Sequence, residues 1–224
     1  MQVGRAQEAF AALQHAIELQ PGDPGLHDNL GLALMQGDRF ADAVVSFRRV
    51  LALQADYPGM HNKLGFALMQ VGRPHEAVTS LRRALELRPD DPDAHYNLAH
   101  ALIAIGQPSA AVAEFREALR IRPDWPSALQ DLAWLQATNA DASVRDPGEA
   151  VRLATRAADL SGRHDVLILD ALAAAYAAAG RFREATRTAE AAEAMAADSA
   201  PDLAAEIKER LSLYRAGRPV LSDR

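Results

Sequence analysis

The chain has 224 residues, with 24 Lys and Arg against 30 Asp and Glu, a formal net charge of −6. That balance argues against a nucleic-acid backbone as partner. The absence of cysteine excludes a disulfide framework and a thiolate metal site. Hydrophobic residues make up 49% but aromatic ones only 5%, a balance carried by Ala and Leu that favours helices over sheets.

The first residues, MQVGRAQEAF, lack the apolar core of a signal peptide. Residues 5–19 read as one helix, with Ala9, Leu13, Ala16 and Leu19 on one face. The same pattern returns at steps of 34: Ala43, Phe47, Val50 and Leu53, then Ala77, Leu81, Ala84 and Leu87, then Ala111, Phe115, Ala118 and Ile121. Residues 1–21 are therefore expected to be the second half of a repeat. Full repeats follow over 24–57, 58–91 and 92–125. In the clearest of them, Asp91 is placed to cap a helix that opens on Pro92, Gly106 to stop it, and Pro108 to open the next. Each first helix carries a Leu and then a small residue: Leu30-Gly31, Leu64-Gly65, Leu98-Ala99, Leu132-Ala133. The small residue is expected to face Ala43, Ala77 or Ala111 of the second helix and to bring the pair close.

The fourth repeat, 126–164, departs from the pattern. Five extra residues separate Ala133 from Ala150, and Gln136 stands where Leu34, Leu68 and Leu102 stood. Asp146 and Pro147 then read as a new cap and first turn. A fifth repeat spans 165–198, with Leu172-Ala173, Tyr176, Gly180, Phe182, Ala185 and Ala189 in the expected slots. It contains the longest apolar run, 166–179, which is too short to cross a bilayer and holds Asp170. Residues 199–216 have the one-sided apolar face of a capping helix, and 217–224 are expected to be a mobile tail. No direct membrane insertion is expected of this soluble segment, and the compartment stays open between cytoplasm and periplasm.

A period of 34 carrying Leu-Gly/Ala, a later Leu or Tyr, Ala, Phe and Pro resembles the tetratricopeptide repeat from residue 5 to about 216. The stretches DLAWLQAT, RDPGEAVRLATRAADL, LDALAAAYAAAGRFREA and ERLSLYRAGRP are similar to the C-terminal ends of bacterial tetratricopeptide proteins, some with membrane or glycosyltransferase segments upstream. A C-terminal piece of a longer protein and a short natural protein are both open readings. The resemblance implies an all-α, right-handed superhelical solenoid of antiparallel helix pairs, about twelve helices in a single domain over 1–224. It also implies a non-catalytic module that receives a peptide or protein segment in a concave groove lined by first helices.

Candidate groove residues follow from the same columns. Asn29, Lys63, Asn97 and Asp131 each precede the recurring Leu, a row that resembles the asparagine ladder of the O-linked N-acetylglucosamine transferase superhelix. An Asn side chain matches both the donor and the acceptor of a peptide unit. Lys63 only donates and Asp131 only accepts, so the ladder is incomplete and suits charged ligand side chains there. Asn62 and Gln130 lie beside these positions. One turn on come Leu32, Phe66, His100 and Trp134, with Met35, Met69, Ile103, Tyr96, Gln36 and Gln70 completing a partly apolar floor. The other reading is that these are solvated polar residues and side chains packed between repeats.

His27, His61 and His95 recur in one slot, but backbones ~10 Å apart suit packing better than a shared metal whose ligand nitrogens all lie at ~2.0–2.1 Å. The turn Asp90-Asp91-Pro92-Asp93 lacks calcium-loop spacing. Arg48-Arg49, Arg82-Arg83, Arg116 and Arg120 are expected on a charged convex face. GxSxG, HExxH, GxxxxGK and GxGxxG motifs do not occur, so no catalytic residue, cofactor or metal is expected. Two further readings stand beside the interaction module. One is the substrate-recognition arm of a larger enzyme such as a glycosyltransferase. The other is a homodimer through the lone N-terminal helix, whose Leu13 and Ile17, with Phe10 beside them, lack a first-helix partner.

Overall fold

A computed structural model describes the backbone of residues 2–222 and the side chains of residues 10–57 and 59–222. Among the described residues there are twelve α-helices and no strand beyond one isolated bridge. Ala9, part of the first predicted apolar face, lies outside the described side chains. The chain divides into two compact units at Ile105/Gly106.

The first unit holds α1 (Gln2–Leu19), α2 (Pro24–Gln36), α3 (Phe40–Leu53), α4 (Pro58–Gln70), α5 (Pro74–Leu87) and α6 (Pro92–Ala104). Each helix packs on the next in sequence. Local chemistry sets the ends. The Asp23 carboxylate accepts from the Gly25 N–H at 2.8 Å and Asp91 from the Ala94 N–H at 3.1 Å, and a proline then costs no helical hydrogen bond. Gly72 ends the α4 turn at φ +71°, a left-handed conformation that a side chain would disfavour.

The core of this unit lies between paired helices, and the nearest neighbour of the small residue lies one turn beyond the one the columns suggest. A methyl on Gly31 would meet the Phe47 ring at 2.3 Å, and one on Gly65 would meet Leu81 Cγ at 2.5 Å. The close approach is thus to Phe47 and Leu81, one turn beyond Ala43 and Ala77, where a large side chain fills the space the glycine vacates.

The second unit holds α7 (Pro108–Ile121), α8 (Pro126–Thr138), α9 (Pro147–Leu160), α10 (Val166–Ala178), α11 (Phe182–Ala196) and α12 (Pro201–Arg215). Asp146 and Asp165 cap α9 and α10 through the N–H groups of Glu149 and Leu167, each at 2.9 Å. The core divides between two clusters. One is built from α8, α9 and α10 around Leu129, Ala154 and Leu172, the other from α10, α11 and α12 around Ala189, Ile207 and Tyr214. Helix α10 serves both, which is why 166–179 is apolar on every side except at Asp170. That carboxylate is 4% exposed and is held by a fork from Arg210 of α12, at 2.8 and 3.1 Å. Burial pushes the Asp170 carboxyl above the usual range, with the guanidinium opposing.

The residues after α12 are docked, contrary to the expected mobile tail. Val220 packs on both clusters, and Ser222 forms a parallel bridge with Asn139. Residues 223 and 224 of that tail lie outside the described residues.

Candidate binding face

The ladder positions sit on helices whose other side is already used. On α2, Gly31 and Leu34 are buried toward α3, so Asn29, Leu32 and Gln36 form the opposite stripe at helical spacing. Lys63, Phe66 and Gln70 do the same on α4. Asn29, Gln36 and Gln70 are exposed, and Leu32, Phe66 and Met69 are half-buried.

Neighbouring first helices are clasped along this stripe. Lys63 Nζ donates to both carboxylate oxygens of Asp28, at 2.7 and 2.8 Å. Asn97 Nδ2 donates to Asn62 Oδ1 at 2.8 Å. Both clasps join a ladder residue to the residue before the ladder position on the preceding helix. All four side chains are half-buried, so each bond is partly shielded from water. Asn97 keeps its carbonyl and its second amide hydrogen for another contact. Sequence reasoning missed Asp28 because the pair is offset by 35 residues rather than 34. Complementary chemistry on the diagonal, Asp28 with Lys63 and Asn62 with Asn97, was the available signal.

The apolar part of the stripe is partly spoken for. Phe66 meets Phe40 of α3 edge-on, with ring centroids 6.3 Å apart, which ties one repeat to the next. Tyr96 and His100 stack edge to face at 4.6 Å on α6. In the second unit, Gln130, Asp131 and Trp134 lie half-buried on α8. There the Arg210 guanidinium lies 5.4 Å from the centre of the Trp134 ring, so this indole is an anchor for α12 as well as a surface.

The recurrent histidines close the connections between repeats. Nε2 of His27, His61 and His95 lies 3.1, 3.1 and 2.8 Å from the carbonyls of Pro21, Ala55 and Pro89, six residues upstream in each case. Three arginines of the second helices are paired with carboxylates across repeats. Arg48 bonds Glu76 at 2.6 Å, Arg83 bonds Asp56 at 2.8 Å, and Arg116 bonds Glu149 at 2.5 Å. Burial raises the Glu149 carboxyl, but hydrogen bonds from Arg116 and Gln136 outweigh it and hold the group below its usual range. Trp125 precedes α8 with the Arg122 guanidinium 4.3 Å from its ring centre.

Stacked antiparallel helix pairs, each presenting one stripe of its first helix, define a helical-repeat protein of the solenoid class. The tetratricopeptide-repeat family model matches residues 68–135 of the chain. Solved structures agree on the fold. YrrB, described as a TPR protein with an unusual peptide-binding site, is 18% identical with a TM-score of 0.68, over 88% of this chain and 98% of its own. PilW, a widely conserved type IV pilus biogenesis factor, is 20% identical with a TM-score of 0.75, over 89% and 90%. Pseudomonas aeruginosa PilF is 20% identical with a TM-score of 0.74, over 93% and 90%. No curated protein is similar to the chain in sequence. Among the described residues, no helix is long and apolar enough to cross a membrane.

Proposed function

We propose that this protein works by binding rather than catalysis, as a scaffold that receives an extended segment of another protein along the first-helix stripe of its first unit. The observation that carries this reading is the pair of clasps, Asp28–Lys63 and Asn62–Asn97. They fix successive polar side chains in a row before any ligand arrives, so little side-chain entropy is left to lose on binding. Half-buried Leu32, Phe66 and Met69 beside the row supply adaptable apolar contact. A ligand fitting this row offers backbone amides to Asn97 and Asn29 and an apolar side chain toward Phe66. The unusual peptide-binding site of YrrB is consistent with such a use of the fold.

The test is selection of peptides from a random displayed library against the whole chain, followed by titration of the winners against variants. Asn97→Ala and Lys63→Ala should each weaken the selected peptides by roughly tenfold, the worth of a buried polar contact. Binding that ignores both substitutions removes the stripe from the mechanism.

A further inference from the structure

The geometry points to a second peptide site at the C-terminal end of α8, already filled by the chain's own residues 218–222. None of its residues belongs to the stripe of the first unit, so it stands or falls separately.

The site begins with a broken rule. Helices α2, α4 and α10 end on a near-helical residue and then turn through a left-handed one, Asp38, Gly72 and Gly180 respectively, which throws the chain straight into the next helix. Helix α8 leaves instead through Asn139 at φ −57° and ψ 136°, an extended conformation. The five extra residues hold that exit rigid. Asn139 Oδ1 accepts from the Asp141 N–H at 2.9 Å, and Asp141 accepts from both the N–H and the hydroxyl of Ser143 at 2.8 Å. Arg145 donates to the carbonyls of Asn139 and Ala140 at 2.6 and 2.8 Å, and Val144 is buried beneath. A short strand edge is thereby built into an otherwise helical unit.

The tail reads this edge as an added strand. Ser222 N–H donates to the Thr138 carbonyl at 2.7 Å, and Ala140 N–H donates to the Ser222 carbonyl at 3.0 Å. Two residues earlier Val220 packs on both core clusters, while Leu221 between them is 58% exposed. Inward, outward and paired positions alternate as they do along a strand. Pro219 favours the extended backbone that this needs. Recognition therefore takes two main-chain bonds and one β-branched side chain, the logic by which sheet edges accept peptides. The ligand class is an extended segment with a Val-like residue two places before the paired one. Because the tail is tethered, its effective concentration is of millimolar order. It acts as a gate that a competing segment must displace.

The experiment uses a labelled, amidated peptide of residues 217–222, GRPVLS, in fluorescence polarisation. A chain ending at Ala216 should bind it, the full chain at least tenfold more weakly, and the peptide with Asp in place of Val220 not at all. The full chain carrying Val220→Asp keeps its length but should release the tail and gain peptide binding. It also serves if the shortened chain fails to fold. Circular dichroism should keep the helical signal in this variant. Peptide binding absent from both folded variants overturns the inference, as does equal binding to the unaltered full chain.

Discussion

Adding a methyl group to Gly65 sets two physical effects against each other. Within α4, Gly→Ala should stabilise by about 1 kcal/mol through helix propensity. The new carbon, however, would lie 2.5 Å from Leu81 Cγ and 2.8 Å from its Cδ2. Leu81 is fully buried, and the atom struck is its branch point rather than a free end. Overpacking of this kind costs roughly 1–3 kcal/mol, so a net loss of about 1 kcal/mol is expected. Urea unfolding followed by helical circular dichroism should show a lower midpoint at unchanged slope. Gly59→Ala on the same helix meets only the flexible end of Arg88, at 3.4 Å, and should hold or raise the midpoint. The second unit suggests a rescue. There alanine stands in both corresponding slots, Ala133 with Ala154 and Ala173 with Ala189, in shared clusters. Leu81→Ala alone should cost roughly 2–5 kcal/mol. In the Gly65→Ala background it should cost less, by about 0.5–3 kcal/mol of coupling. A Gly65→Ala protein as stable as wild type, or strict additivity in the double variant, would refute the idea that this contact sets the helix spacing.

The remaining predictions concern buried charge. Arg210→Met strands the Asp170 carboxylate and should cost roughly 3–5 kcal/mol, most of it recovered by adding Asp170→Asn; calorimetry reads both. The raised carboxyl of Asp170 favours the fold in its protonated form. Its contribution is therefore full below the ordinary value of 3.8 and lost as pH rises through the folded-state value. Asp170→Asn should flatten that loss in urea midpoints taken across the acid range. Glu149 works in the opposite sense. Its lowered carboxyl contributes above the ordinary 4.5 and loses that contribution as pH falls through the folded-state value, so Glu149→Gln should blunt acid destabilisation.

The helices were legible in the sequence because their signals are local. Pro at first turns, Asp before them, and Ala with Leu at helical spacing fix each element without reference to the rest. Contacts between helices were legible only where they follow the columns. Stepping by 34 sets Asp28 over Asn62 and Asn29 over Lys63, yet the bonds run diagonally, from Lys63 to Asp28 and from Asn97 to Asn62. Adjacent first helices are staggered, and a column comparison hides a stagger. The same limit hid the nearest neighbour of Gly31, which is Phe47. Which turn of the facing helix comes closest depends on crossing geometry that a periodic pattern leaves open. Asp170 was visible as a charge in an apolar run, but its partner lies 40 residues on, in a helix that breaks the 34-residue period.

The docked tail escaped notice for a more basic reason. Two of its contacts are main-chain hydrogen bonds, which any residue but proline can donate, so no side-chain pattern marks them. Yet the insertion in the fourth repeat was visible, and strict helical repeats bury almost all their backbone polarity within helices. An insertion that ends one helix in extended geometry is where such a protein can offer unpaired donors and acceptors. Along the proposed stripe of the first unit, recognition rests on side chains such as Asn97, which meet ligand side chains and amides together. The second unit adds backbone, and backbone recognition tolerates many sequences. Of the two proposed surfaces, the row at Lys63 and Asn97 is therefore the one suited to discriminating among partners, and the edge at Ala140 the one suited to being competed for.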